Sequence, residues 1–260
     1  MADVKHRRKL NAEQLEVLEL LYKFRFGTND LFAQHFGKKD RSFVFKRLNI
    51  LLEQGLIGKR FESSYRIQGK PAAYYLLPDG ARVLRAQRPD RAINIKAIYK
   101  DKTVSEEFVE YCLGLFSTYC QLKAKYGEKL HFFTKPQLAK YEYFEEFTPS
   151  AYIRLVDNNS EQDFFLEYLQ SSKPFFAITR RIKQYIEYAD SGDWESATNS
   201  PFPAVLFSCD KPPLQDRMLK KSPTILANAD DELKLFVTTK GSDTWLSLAE
   251  PDAALASSPI

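Results

Sequence analysis

Hydrophobic residues recur at helical spacing near the start of the chain and predict three successive helices. The first begins at Asn11, which can cap it, and Gln14 follows three residues later as in a capping box. The second covers 29–36, and the third lies between 40 and 54 and ends before Gly55. The pattern therefore predicts a small helical module at the N-terminus.

After the third helix the pattern changes to that of β-strands. Residues 56–61 and 72–77 are typical of two strands, and a polar tip at 62–70 separates them. Pro78 then begins a further helix, a position that proline tolerates well. Three helices followed by a two-stranded hairpin is the element order of a winged helix-turn-helix.

The remaining pattern predicts a second domain with the element order α-β-β-β-α-β-α-β. The predicted helices cover 106–126, 174–189 and 214–221, and the predicted strands cover 130–134, 151–156, 163–170, 202–208 and 233–238. We therefore expect an α+β protein, in which a winged helix-turn-helix precedes an α/β domain with a central mixed sheet. The predicted boundaries are 1–88 for the first domain, 89–103 for a linker, 104–240 for the second domain and 241–260 for a flexible tail.

Charge is divided unevenly between the two predicted domains. Residues 1–100 carry 21 Lys and Arg against 10 Asp and Glu, whereas residues 101–260 carry 17 against 24. The whole chain has a net charge of only +4, so the asymmetry is hidden in the total. A basic N-terminal half indicates a module that meets a polyanion, joined to a module with another task.

The third predicted helix has one apolar side and one polar side. Val44, Leu48, Leu51 and Leu52 share the side that must face the core. The opposite side and its flanks carry residue types that suit a DNA major groove, because they can bond bases or phosphates. With the basic residues of the hairpin, the predicted DNA-binding set is Arg41, Ser42, Lys46, Arg47, Asn49, Lys59, Arg60, Arg66 and Lys70. The alternative interpretation is a solvated helix face.

Other recognisable chemistry is scarce. Cys112, Cys120 and Cys209 are too few and too scattered for a disulfide framework or a zinc site, and they fit a reducing compartment. No apolar run approaches the ~18 residues that span a bilayer. The basic N-terminus lacks the apolar stretch of a signal peptide. Phosphate-loop, dinucleotide and hydrolase motifs are absent from the sequence. We therefore expect a cytoplasmic protein with no membrane contact, no cofactor and no bound metal.

Two stretches resemble the replication-relaxation family of plasmid and mobile-element proteins. The first contains EQLEVLELLYKFRF, FVFKRLNILLEQGLI and AAYYLLPDGARVL, and the second contains FFLEYLQSSKPFFAITRRIKQYIEYADSG followed by FPAVLFSCD. The resemblance extends over 11–90 and 104–240. It implies a second domain similar to the PD-(D/E)xK nucleases and a role in plasmid replication or DNA mobilisation. It also implies a relaxase or a replication initiator as a protein partner.

The nuclease motif that this resemblance implies is incomplete. In such nucleases a Pro-Asp pair on one strand and Glu-x-Lys on the next hold a divalent metal and position the attacking water. Here Pro149 precedes Ser150, and Glu167 is followed two residues later by Leu169. We therefore expect no catalytic site. Glu167 remains the residual candidate, and a pairing with a nearby Arg or Lys is the favoured interpretation. Other carboxylates that could reach a metal from turns are Glu146, Asp157 and Asp163.

The sequence thus predicts a sequence-specific double-stranded DNA-binding protein whose nuclease-like domain is inactive and serves assembly, including self-association. Two alternatives remain open at this stage. One is a metal-dependent DNA endonuclease with a rearranged site. The other is a transcriptional regulator whose second domain senses a ligand. A basic cluster on the helix after Glu167 is either a solvated face, a second DNA contact or a salt bridge within the acidic domain; its members are Arg180, Arg181 and Lys183.

Overall fold

A computed structural model describes residues 10–61, 63–89, 93–144, 147–157, 160–227, 233–242 and 244–249. Contacts within the chain divide it into two compact units, with the boundary after Phe116. Each unit contains one sheet of its own. Over the described ranges, no helix is both long enough and apolar enough to cross a membrane.

The first unit combines helices with a small antiparallel sheet. In chain order its elements are α1 (Ala12–Phe24), β1 (Phe26–Gly27), α2 (Asn29–His35), α3 (Arg41–Glu53), β2 (Ile57–Arg60), α4 (Ser63–Ile67), β3 (Ala73–Leu76), α5 (Pro78–Gln87) and the first part of α6 (Glu106–Tyr126). The strand order in the sheet is β1-β3-β2. The predicted succession of three helices and a hairpin is confirmed, as is the capping box of Asn11 and Gln14.

Two short elements of this unit were not predicted. β1 has two residues, too few to show any periodicity, and it joins the hairpin through the pairing of Phe26 with Tyr75. α4 interrupts the tip that the sequence predicts as purely polar. Gly80 lies in the first turn of α5, in close contact with the α3–β2 connection, because a Cβ there would lie 2.2 Å from the carbonyl oxygen of Leu56.

Arg25 is the residue that ends α1. Its φ of 71° is uncommon for a residue with a side chain. Its Nε donates to both carboxylate oxygens of the fully buried Asp101, at 2.9 and 3.0 Å. This ion pair fixes the unusual backbone and ties the segment before α6 to the end of α1. Within the predicted linker, the described part forms a 3-10 turn at Ile95–Ile98, and Ile98 is buried.

The second unit is built on a six-stranded sheet. In chain order its further elements are β4 (Leu130–Thr134), α7 (Lys135–Leu138), β5 (Ala151–Asp157), β6 (Ser160–Leu169), α8 (Phe175–Ser191), α9 (Asp193–Thr198), β7 (Ala204–Cys209), α10 (Pro212–Ile225), β8 (Leu235–Thr239) and β9 (Leu246–Ser247). The strand order follows the chain from β4 to β9. The β6–β7 and β7–β8 pairs are parallel and the others are antiparallel, so the sheet is mixed, as predicted.

The parallel pairs need crossover connections, and α8 and α10 supply them. Both helices place apolar residues against one face of the sheet, where Tyr185 and Met218 pack in the same buried cluster as Phe165 and Phe207. The second part of α6 belongs to this unit and contributes Tyr119, whose ring meets that of Phe132 on β4 at 5.3 Å. The apolar runs of the central strands therefore reflect burial of the sheet.

Part of the predicted tail belongs to the sheet. β9 pairs with β8 through Leu246 and Val237, and Leu248 is fully buried. The apolar residues of this stretch are few, so the surrounding Ala, Ser and Pro dominate its composition. Residues 250–260 of the predicted tail lie outside the described residues.

Candidate nucleic-acid interface

α3 is anchored by its cap and its apolar side. Asp40 accepts hydrogen bonds from the backbone N–H and the hydroxyl of Ser42, at 2.8 and 2.7 Å, and these bonds lower the pKa of Asp40. Val44, Leu48 and Leu51 are fully buried, which confirms the core side for three of the four predicted residues, and Leu52 is half-buried. The polar side of α3 consequently faces away from the core.

Lys46 and Asn49 lie on that outer side, three residues apart. Lys46 is exposed and Asn49 is half-buried. Neither side chain has an ion pair or a hydrogen bond within the described part of the chain. Phe43 and Phe45 are 37% and 45% exposed, so this surface also presents two aromatic rings. The ammonium and the amide are therefore free to meet a ligand.

The other predicted residues of α3 already have partners. Arg41 pairs with Asp30 at 2.9 Å, although both side chains remain largely exposed. Ser42 serves the helix cap. Arg47 pairs with Glu13, and its guanidinium carbon lies 3.3 Å from the ring centroid of Phe43. These three residues stabilise α3, and a ligand would have to compete for them.

The β2–β3 hairpin carries two further cations without ion pairs in the region that the structure describes. Lys59 and Arg66 lie 5.1 and 5.4 Å from the ring centroid of Phe61, which is exposed. Next to Arg66, Ile67 is 86% exposed. The hairpin thus presents two positive charges around an aromatic ring at its tip.

Arg60 and Lys70, in contrast, are held by the start of α6. Arg60 pairs with Glu106 and donates to the carbonyl oxygen of Val104 at 2.7 Å. Lys70 donates to Glu110 at 2.6 Å, and this bond raises the pKa of Lys70. The nine predicted residues therefore form two classes. Four of them, Lys46, Asn49, Lys59 and Arg66, have no ion pair or hydrogen bond among the described residues, and the other five are engaged within the protein.

In the second unit, Glu167 forms the centre of a buried hydrogen-bond cluster. One carboxylate oxygen accepts from Nε and Nη2 of Arg181, at 2.8 and 2.6 Å, and from the hydroxyl of Tyr185 at 2.7 Å. The other oxygen accepts from the hydroxyl of Ser150 at 2.7 Å. The predicted pairing of Glu167 with a nearby cation is thereby confirmed, and Ser150 stands beside it as the resemblance implies.

Arg181 is oriented by further contacts. Its Nη2 donates to the carbonyl oxygen of Thr148 at 2.7 Å, and its guanidinium carbon lies 3.9 Å from the ring centroid of Phe147. The other two members of the predicted basic cluster, Arg180 and Lys183, are both exposed. A signal for this division is present in the sequence. Arg181 lies between Ile178 and Tyr185 at the spacing of the buried face of α8.

The cluster does not fit a divalent metal. Both oxygens of Glu167 are occupied by neutral or cationic donors, and the buried Leu169 offers no ligand. Asp163 is bound by Arg154 at 2.8 and 2.9 Å, and Asp157 by Lys129 at 2.9 Å. Glu146 lies outside the described residues. Throughout the described ranges, no group of three or more His, Cys, Asp and Glu could hold a metal ion.

Comparison with known proteins places the chain in a family. No curated protein and no solved structure shows significant similarity to it. A family model described as Replication-relaxation matches residues 18–205. The match covers well over half of the chain, including α3, the β2–β3 hairpin and the Glu167 cluster. The chain therefore belongs to the replication-relaxation family.

Proposed function

We propose that this protein binds double-stranded DNA through a winged helix-turn-helix in its first unit. α3 lies in the major groove, and the β2–β3 hairpin lies against the neighbouring phosphate backbone. The proposal is supported by the succession of three helices and a three-stranded antiparallel sheet and by the basic composition of residues 1–100. Such folds dock a helix in the major groove by its exposed side.

The observation that carries the proposal is the free polar surface of α3 and the hairpin. Asn49 can pair with an adenine edge through its amide, and Lys46 can reach guanine or phosphate. Lys59 and Arg66 have no carboxylate partner among the described residues, so phosphates can neutralise them without breaking an internal ion pair. Phosphate contacts set the position of a protein on DNA, and base contacts set its specificity.

Family membership supports a role in the replication or mobilisation of plasmids or mobile elements. We propose that the protein works in the cytoplasm. Its proposed protein partners are a relaxase, a replication initiator or a second copy of the chain. None of these partners is required for the duplex binding described above.

The second unit is proposed to be a PD-(D/E)xK-like scaffold without nuclease activity. The support is chemical: Ser150 and Leu169 replace the second carboxylate and the lysine, and Arg181 supplies a positive charge to Glu167 directly. A metal-dependent nuclease needs carboxylates whose oxygens are available to coordinate a cation. Glu167 is committed to three side chains instead.

Selection of bound sequences from a random duplex pool, with and without Mg²⁺, tests the proposal. We expect a defined motif in both conditions. If about four to six phosphates are neutralised, log K should fall against log salt with a slope of roughly −4 to −5. A flat salt response, or full duplex binding after deletion of residues 1–100, would contradict the proposal.

A nicking assay tests the second unit independently. Supercoiled DNA incubated with excess protein and Mg²⁺ or Mn²⁺ should remain intact. Nicking that requires the metal and disappears in Glu167→Ala, while that variant remains folded, would instead establish the metal-dependent endonuclease, whatever the outcome of the duplex selection.

A further inference from the structure

The second unit contains a groove lined by aromatic rings, well separated in the chain from α3 and the hairpin. It has a volume of about 370 Å³ and lies between β4, the turn at Glu142–Phe144 and α9. Its aromatic lining residues are Phe133, Tyr141, Tyr143, Phe144, Tyr152 and Trp194. We call it the aromatic groove. Its volume is in the range of pockets that hold small ligands.

The rings of the aromatic groove are already ordered against one another. Tyr141 and Tyr143 are stacked, with centroids 5.5 Å apart and planes inclined by 26°. Trp194 meets Tyr143 edge-on at 5.6 Å. Tyr152 lies 6.0 Å from Phe133. A flat ligand can therefore stack against a preformed wall, and few side chains would have to be ordered on binding.

The polar groups of the groove favour a neutral ring with an anionic attachment. Arg154 is neutralised by Asp163 and also donates to the hydroxyl of Tyr152 at 3.0 Å, so it is not a free cation. The hydroxyls of Tyr141 and Tyr143 have no hydrogen-bond partner in the described part of the chain. At the rim, the ammonium of Lys140 lies 4.8 Å from the centroid of Tyr141 and is exposed.

Nucleobases are flat, neutral rings with hydrogen-bonding edges, and in nucleotides they are linked to a phosphate, so they match these features of the groove. Proteins bind unpaired bases by stacking them on aromatic side chains and bonding their edges. We propose that the aromatic groove binds an unpaired nucleobase, with Tyr143 as the stacking ring, Trp194 buried beneath it and Lys140 meeting the adjacent phosphate. The base comes either from a single strand or from a free nucleotide. This site goes beyond the duplex binding proposed for α3 and does not depend on it.

Fluorescence of Trp194 can report on occupancy of the groove. The 260-residue chain has two tryptophans, so Trp245→Phe in this chain leaves Trp194 as the single reporter. The probes are adenosine monophosphate, a 12-nucleotide single strand, and a 12-unit strand of the same backbone without bases. We expect quenching by the single strand but not by the strand without bases. Quenching by the nucleotide as well would identify free nucleotides as a second source of the base.

Two variants and a control make the test specific. Ala197 is exposed on α9 and lines the groove, so Ala197→Phe fills it without removing a wall. Tyr143→Ala removes the stacking wall, and base–aromatic stacking predicts binding weakened roughly 5- to 150-fold. Phe176→Ala removes a ring that is 74% exposed on α8 and outside the groove, and it should leave the quenching unchanged.

Ala197→Phe should abolish the quenching, and if it does not fold, Tyr141→Ala, at a position 40% exposed, tests the groove by removing a wall ring and should weaken the quenching. The proposal is overturned if neither the nucleotide nor the single strand quenches Trp194. Equal quenching by the strand without bases also overturns it, as does unchanged binding by Tyr143→Ala. Loss of duplex binding in an α3 variant leaves all of these outcomes unaffected.

Discussion

On α8, Arg181 turns inward and ends in bonds to Glu167 and to the carbonyl oxygen of Thr148. On α3, Lys46 stands on the outer side and has no such bonds in the part of the chain that the structure describes. Both residues belong to clusters that look alike in the sequence, RRIK in α8 and KR in α3. The same residue types therefore form internal bonds on α8 and remain available to a ligand on α3.

The position of each cation relative to the apolar side of its helix decides the difference. Arg181 lies among Ile178, Ile182 and Tyr185, all buried. A charge in that position needs a fixed counter-charge, because burial without one is costly. Lys46 lies opposite Val44, Leu48 and Leu51, where water solvates it and a phosphate can replace the water. A buried cation is committed to its partner within the fold, and an exposed one can serve recognition.

The largest effect is expected when the counter-charge of Arg181 in the second unit is removed. Glu167→Ala leaves Arg181 partly buried with no carboxylate, and its side chain is only 21% exposed. We expect unfolding to become easier by about 3–5 kcal/mol, because breaking one side of a buried pair leaves an uncompensated charge. Urea denaturation measures the loss.

The matched control is Glu161→Ala, which removes an exposed partner of Arg154 and should cost less than about 1 kcal/mol. The double variant Glu167→Leu with Arg181→Met replaces the pair by apolar groups and should recover much of the stability. If Glu167→Ala is as stable as Glu161→Ala, the cluster does not hold the fold together.

The second prediction concerns the free amide of α3. Asn49→Ala should weaken binding to the selected duplex by about 1–3 kcal/mol and relax specificity at one base position. Stability should hardly change, because Asn49 makes no hydrogen bond within the described residues. Competition binding with variant duplexes measures both effects. Gln87→Ala, which removes an exposed amide on α5, is the control. Unchanged specificity in Asn49→Ala would place base recognition elsewhere.

Much of the fold could be predicted because the longer elements carry strong periodic patterns. α6 and β4 have the predicted bounds of 106–126 and 130–134. The missed elements are short: β1, α4, α7, α9 and β9 have two to six residues each. Such segments form because the surrounding structure pairs or buries them, and no period shows in so few residues.

The elements that carry the candidate residues could be predicted from the sequence, but the ion-pair partners of those residues could not. The nine residues chosen for their type lie on α3 and the hairpin, as the helix and strand patterns require. The sequence could not show that Glu106 and Glu110 bind Arg60 and Lys70, because those partners are about 40 residues away in the chain. Arg181 is the opposite case, since its place on the buried face was visible in the spacing.

The third prediction separates phosphate contacts from base contacts. Arg66→Ala should weaken binding to all duplexes alike, by about 1 kcal/mol, and make the salt slope shallower by about 1. Arg85→Ala removes one exposed positive charge from α5, outside the proposed interface, and should change the slope less. Binding titrations at four salt concentrations distinguish the two. Identical slopes for both variants would mean that only net charge matters.

The smallest expected effect comes from releasing a cation that is held inside the protein. Glu110→Gln keeps the shape of the side chain and removes the charge that binds Lys70. Both partners are partly exposed, so the loss of stability should stay below about 1 kcal/mol. The released ammonium can then neutralise a phosphate, and the salt slope should become steeper by up to about 0.9. Glu53→Gln removes an exposed carboxylate that holds no cation in the described part of the chain, and it serves as the control. If both variants give the same slope, Lys70 does not reach the DNA even when its ion pair with Glu110 is removed. Only the cations that have no ion pair in the described part of the chain would then contact phosphates.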